Sequence, residues 1–258
     1  MESYTSFAEV YDVFMDDVPY EEWAHYLCGL LEKYQVKAEG VIVDLGCGTG
    51  TMTEILSREG FDMIGVDNSG EMLAIAIQKK QESGRDILYL LQNMQELELY
   101  STADAVVSVC DSVNYVTNET ELLETFRRVN HFLEPGGVFI FDFNTEHKYR
   151  DVIGERTIAE CREDCSFIWD NYYYEDEQIN EYELNLFIQA DREHDENLYR
   201  KFHEVHYQKG YTLSVIRELI ESSGLAFVTA YDAFTEEAPT AESERIYVIA
   251  RESGKDVM

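Results

Sequence analysis

Seven consecutive residues, Asp44-Leu45-Gly46-Cys47-Gly48-Thr49-Gly50, place glycines at alternate positions directly after the apolar run Val41-Ile42-Val43. Glycine there lets the backbone turn tightly and approach a ligand with no Cβ in the way. A turn between a strand and a helix is also where open α/β sheets bind nucleotides. Roughly twenty residues further on, Gly65-Val66-Asp67-Asn68-Ser69 ends a second apolar run with a carboxylate, well placed to accept hydrogen bonds from both ribose hydroxyls. Spacing bears on the rest of the ligand. A dinucleotide loop reads G-x-G-x-x-G, whereas this one reads G-x-G-x-G, with Thr51 where the third glycine belongs. A pyrophosphate also needs a helix N-terminus free of opposing charge. Asp44, just before the loop, opposes a phosphate but suits the α-ammonium of a methionyl group. These residues favour S-adenosylmethionine (SAM) over NAD, and an NAD-dependent oxidoreductase stays open as the alternative.

Methyl transfer from a sulfonium asks mainly for alignment of acceptor, methyl and sulfur. A general base is needed only if the acceptor keeps its proton until attack. Candidates on the acceptor side follow the fourth apolar run, in Asp111-Ser112-Val113-Asn114-Tyr115. Asp111 is a possible base, and Asn114 or Tyr115 a possible orienting group. Alternatively this loop only shapes the cofactor pocket. His203 and His206 lack helical metal-ligand spacing and would face opposite sides of a strand. Cys28, Cys47, Cys110, Cys161 and Cys165 form no zinc pattern and read as reduced thiols. No metal site is therefore expected.

The elements that must position these residues are legible as alternating periodicities. Phe7, Val10, Tyr11 and Phe14 recur at helical spacing, then Asp16-Asp17-Val18-Pro19 breaks the helix, with Pro19 opening the next. Trp23, Leu27, Leu30 and Leu31 mark that second helix. Strands are expected at 41–45, 63–67, 87–91, 105–110 and 138–143. Helices are expected at 51–59, closed by Gly60, and after Ser69, the latter burying Met72, Leu73 and Ile77. A further helix, capped by Asn118 with Glu121 in the manner of a capping box, buries Leu122, Phe126, Val129 and Leu133. The rhythm breaks between about residues 155 and 208. There Phe167–Tyr174, Tyr182–Ile188 and Leu198–Tyr207 read as a small antiparallel sheet packed by one face, its tyrosines forming either an aromatic wall for the acceptor or ordinary packing. A helix over 213–223 and strands over 226–231 and 245–250 complete a doubly wound α/β sheet.

These segments resemble the motifs of class I SAM-dependent methyltransferases. Val43-Asp44-Leu45-Gly46-Cys47-Gly48-Thr49-Gly50 is similar to the first, and Gly65-Val66-Asp67 with Ser69-Gly70-Glu71-Met72-Leu73 to the second. Leu91-Gln92-Asn93-Met94, Asp104-Ala105-Val106-Val107 and Leu133-Glu134-Pro135-Gly136-Gly137 resemble the later ones, in order and spacing. Phe7-Ala8-Glu9-Val10-Tyr11-Asp12 resembles the segment that closes over SAM in bacterial small-molecule members. The resemblance implies a Rossmann-like, mostly parallel seven-stranded sheet with an antiparallel last strand. It implies backbone contacts to the methionyl group from Gly46, Cys47 and Gly48, and a ribose held by Asp67. Asn68 would lie beside the adenine, and Asn93 and Met94 at its far edge. Cys110 would lie beneath the sulfonium, and Tyr11 would cover the cofactor.

Fifty-two acidic against 20 basic side chains give a net charge of −32, which opposes nucleic acid and anionic lipid as partners. The opening Met1-Glu2-Ser3-Tyr4 lacks the basic and apolar regions of a signal peptide, and a soluble cytoplasmic protein is expected. The reading divides the chain into a helical cover (1–35), a SAM-binding core (36–150 and 209–258) and an inserted β lid (151–208) that selects a small-molecule acceptor. A noncatalytic SAM-binding protein is the other class the motifs allow. Oligomeric state is left open.

Overall fold

The computed structural model describes residues 8–191 and 195–255. Phe7 and the opening Met1–Tyr4 segment lie outside the described residues. Two helices come first, α1 (Ala8–Phe14) and α2 (Tyr20–Lys33), with Pro19 as the N-cap of the second. Strand and helix then alternate: β1 (Val41–Leu45), α3 (Thr51–Arg58), β2 (Asp62–Asp67), α4 (Gly70–Ser83), β3 (Ile87–Leu91), β4 (Ala103–Ser108), α5 (Glu119–Phe132) and β5 (Leu133–Asn144). After the second sheet the core resumes with α6 (Leu213–Ser222), β10 (Leu225–Asp232) and β11 (Arg245–Glu252).

The main sheet has the order β10-β11-β5-β4-β1-β2-β3, parallel from β5 to β3, with β11 antiparallel to both its neighbours. This is the Rossmann-like arrangement. Successive side chains of a strand point to opposite faces, and both faces of this sheet are covered. Val43 and Leu45 of β1 join Phe126, Phe139, Phe141, Ile216 and Val248 on one side. Ile42 joins Leu27, Leu31, Leu56, Val107 and Ile249 on the other. Two-sided burial explains why these strands read as unbroken apolar runs.

The helix ends follow their caps. The Ser69 hydroxyl accepts the Met72 N–H at 3.2 Å. Asn118 Oδ1 accepts the N–H groups of Thr120 and Glu121. Glu121 instead accepts from the Gln95 side chain, so the capping box is only half formed. In α4 it is Ala76 that is buried, while Ile77 is 42% exposed. β4 starts at Ala103, two residues earlier than its apolar run suggests, and stops at Ser108. The chain leaves β4 through Cys110 (φ 61°) and Asp111 (φ 53°), two consecutive non-glycine residues in the left-handed region.

The second sheet is antiparallel with the order β6-β7-β8-β9, comprising β6 (Thr157–Cys161), β7 (Cys165–Tyr174), β8 (Ile179–Asp191) and β9 (Asp195–Lys209). One face is buried, with Cys165, Phe167, Leu184, Leu186 and Ile188 closing on Val10 and Phe14 of α1. The first helix and the inserted sheet therefore share a core.

Candidate active site

A cavity of about 490 Å³ lies where β1 and β4 end, the crevice in which an open α/β sheet binds ligands. Eleven of the residues singled out from the sequence line it: Tyr11, Asp44, Gly46, Cys47, Gly48, Asp67, Asn68, Asn93, Met94, Cys110 and Tyr115. So do Thr49, Ser112 and Tyr207 from segments already noted in the sequence, and Tyr20 and Thr117, for which spacing gave no signal.

The glycine loop is folded against β2. The N–H groups of Gly46 and Cys47 both go to the Val66 carbonyl, at 2.7 and 3.0 Å, and the Gly48 N–H goes to Asp67 Oδ2 at 2.8 Å. A phosphate cradle needs such donors free, and here the three are spent inside the protein. What borders the cavity there is acceptor character, from the carboxylates of Asp44 and Asp67. That suits an ammonium and ribose hydroxyls and disfavours a pyrophosphate. Two glycines mark the close fit. A Cβ on Gly46, at φ 81°, would lie 2.6 Å from Met94 Cε and 2.7 Å from Ser112 Cβ, whereas a Cβ on Gly48 would meet nothing within 4 Å, so the space beside it is open.

Asp44 is 2% exposed and accepts the Thr53 hydroxyl at 2.6 Å. Burial pushes its carboxyl up to about 6, against the opposing bond from Thr53. Asp67 is raised by burial too, with the N–H groups of Ser69 and Gly48 acting the other way. Asn93 Oδ1 accepts the Gln95 N–H at 3.3 Å, which leaves one lone pair of that oxygen for a ligand.

Tyr11 and Tyr20 both line the cavity, and their hydroxyls are hydrogen-bonded to each other. Burial holds both phenols above their usual range, so both stay protonated. α1 is fastened over the loop by Asp12, which accepts the Thr49 hydroxyl at 2.7 Å and pairs with Lys79 of α4 at 2.7 Å.

Two of the acceptor-side candidates are directed elsewhere. Asn114 is fully buried. Its amide donates to the carbonyls of Asn144 and Lys209 at 2.8 and 2.7 Å, and its oxygen accepts the Asn144 N–H at 2.9 Å. It ties the end of β5 to the end of β9 and cannot reach an acceptor. Asp111 is absent from the cavity lining. It receives Arg245 at 2.7 Å and the Gln208 amide at 2.7 Å, so neither oxygen stands ready as a base. Tyr115 does line the cavity, with its ring edge-on to buried His206 at 6.1 Å. His206 pairs with Glu204, while His203 lies on the opposite, exposed face beside Glu183. Of the insert's tyrosines, Tyr207 contributes to the lining while still half exposed, and Tyr172 and Tyr174 are exposed as well.

The comparisons with known proteins agree with this geometry. The model of the methyltransferase domain family matches residues 42–137. A Bacillus subtilis protein described as a methyltransferase is 34% identical over 97% of both chains. Another from Geobacillus sp. strain WCH70 is 33% identical over 96% of this chain and 99% of its own. The solved structure of a SAM-dependent methyltransferase from Clostridium acetobutylicum superposes with a TM-score of 0.85 at 25% identity, covering 98% of this chain and all of that one. The SAM-bound amino pentose methyltransferase CalS10 from Micromonospora echinaspora shares the fold at 16% identity, with a TM-score of 0.73 and coverage of 98% and 99%. The carboxylates bordering the glycine loop, the sheet order and the full-length likeness converge, and the chain belongs to the class I SAM-dependent methyltransferases.

Proposed function

We propose that this enzyme methylates a small molecule held between Cys110 and the rim formed by Tyr115 and Tyr207, beneath a cover made by α1 and the inserted sheet. The observation that carries this reading is the continuity of the cavity. The same volume touches Asp67 and Asn68 and also Tyr115, Thr117 and Tyr207. A nucleoside and a second reactant can therefore share it.

Bound SAM supplies a methyl group already activated by its positive sulfur. The chain's own task is to hold and align. Asp67 would accept from the ribose hydroxyls, Asp44 would face the methionyl ammonium, and Asn68, Asn93 and Met94 would border the adenine. Tyr11 and Tyr20, kept protonated by burial, exclude water from above and donate hydrogen bonds. Holding two reactants in line removes much of the entropic barrier of a bimolecular step. Tyr115 and Tyr207 bound the space left for the acceptor. Because one of these two residues belongs to β9, the insert takes part in acceptor choice.

Radiolabelled SAM incubated with bacterial metabolite pools is expected to yield a labelled small molecule. Absence of transfer, with SAM binding intact in calorimetry, would sink the catalytic reading in favour of a SAM sensor. Asp67→Ala is expected to weaken SAM binding at least about tenfold, the order of losing charge-assisted hydrogen bonds. An unchanged affinity would refute the ribose assignment.

A further inference from the structure

Behind the turn that carries Cys110 lies a buried ionic cluster for which the mechanism above has no use. Asp142 of β5 is fully buried. Its Oδ1 accepts the Asp111 N–H at 2.8 Å, and its Oδ2 the Cys110 N–H at 3.3 Å. Arg245, at the start of β11, donates to Asp142 Oδ2 and to Asp111 Oδ1, each at 2.7 Å. Trp23 lies against this guanidinium, 5.4 Å from ring to Cζ. Gln208 adds a hydrogen bond to the other oxygen of Asp111. Lys148 and Glu244 stand beside the cluster with opposite charges. Two carboxylates against one guanidinium leave an excess of one negative charge, in contact through Asp142 with the backbone of Cys110, which lines the cavity. The excess is felt in the cavity. After burial, the charge of Asp142 is the largest influence raising the Cys110 thiol, and Asp111 adds to the rise of the Tyr11 and Tyr20 phenols.

We propose that Asp111 and Asp142, only partly balanced by Arg245, make the cavity floor select a positive sulfur over a neutral one. The protein then holds SAM more tightly than S-adenosylhomocysteine, which is SAM without its methyl cation. The proposal rests on reading Cys110 as the sulfonium end of the site. In a medium of low polarizability an unbalanced charge a few ångströms away acts on a cation and leaves a neutral isostere nearly untouched. These carboxylates are thus specificity residues acting through space, and Arg245 sets their strength.

The test is calorimetric affinity of the full-length protein for both ligands in wild type, Asp111→Asn and Arg245→Gln, with melting curves to verify folding. Asp111→Asn is expected to lower the SAM to S-adenosylhomocysteine affinity ratio by about threefold or more, with the neutral ligand within about twofold. Arg245→Gln is expected to raise the ratio. General loosening weakens both ligands together and leaves the ratio unmoved, so an unmoved ratio overturns the proposal, as does movement in one direction by both variants. If Arg245→Gln does not fold, the ratio in Asp111→Asn decides alone. Failure of the wild type to bind either ligand would instead refute the reading of the site.

Discussion

Asp44 links the site to pH. Its carboxyl, raised to about 6 by burial, takes up a proton below that pH and then cannot neutralise an ammonium. SAM affinity is expected to be level above about pH 7 and to fall by up to about tenfold per unit as pH drops through 6. Proton release on binding at pH 5.5, read from calorimetry in buffers of different ionisation enthalpy, is the direct check; no release would dismiss the role of Asp44. The same shift has the opposite sign for folding. A raised carboxyl favours the native state while protonated, so its contribution is present below the unfolded value near 4 and is lost as pH climbs through 6. At this scale the residues expected on the cofactor side all line one cavity, because glycine spacing and strand-end carboxylates have fixed geometric consequences. Asp111 and Asn114, possible acceptor-side groups in the sequence, are directed elsewhere, because adjacency along the chain gives no direction. Cys110 and Asp111 both adopt the left-handed region, which neither residue type announces, and in that double turn Asp111 meets Arg245 and Gln208 instead of the cavity.

Among the elements, the central strands were legible because both their faces are apolar. β6 was missed, since Thr157, Ile158, Ala159 and Cys161 of this edge strand are all exposed and leave no alternation to find. β5 begins at Leu133, five residues ahead of its apolar run, because the chain bulges opposite Ala103 and Ala105. Gly136 turns there at φ 75°, and a Cβ on Gly137 would press to 3.1 Å on the Asp104 carbonyl. The joint core of α1 and the insert was not readable at all, as it pairs residues more than 150 positions apart. Removing residues 155–208 would therefore strip α1 of its seat as well as remove the lid. A gentler probe is Asp12→Ala, which cuts the ties to Thr49 and Lys79. It is expected to weaken SAM binding severalfold, on the order of 1 kcal/mol for a partly exposed charged contact, and to speed dissociation in stopped-flow measurements. Unaltered dissociation would remove α1 from the closing mechanism.

The whole molecule carries 52 acidic side chains against 20 basic ones. SAM carries one net positive charge at neutral pH, so this field draws it in while repelling polyanions. Association is expected to slow by roughly threefold to tenfold between 0.01 and 0.5 M salt, as the screening length contracts from about 30 Å to a few ångströms. A rate indifferent to salt would exclude steering. Among the described residues, no helix is long and apolar enough to cross a membrane. The roof over the cavity has one more consequence, concerning synthesis. Val10 and Phe14 find their seat on strands that emerge from the ribosome some 150 residues later, while Asp12 reaches forward to Thr49 and Lys79. The first helix must wait for the rest of the chain before it can settle. Sealing the nucleoside pocket is then among the last events of folding, and SAM acts as a ligand of the finished polypeptide.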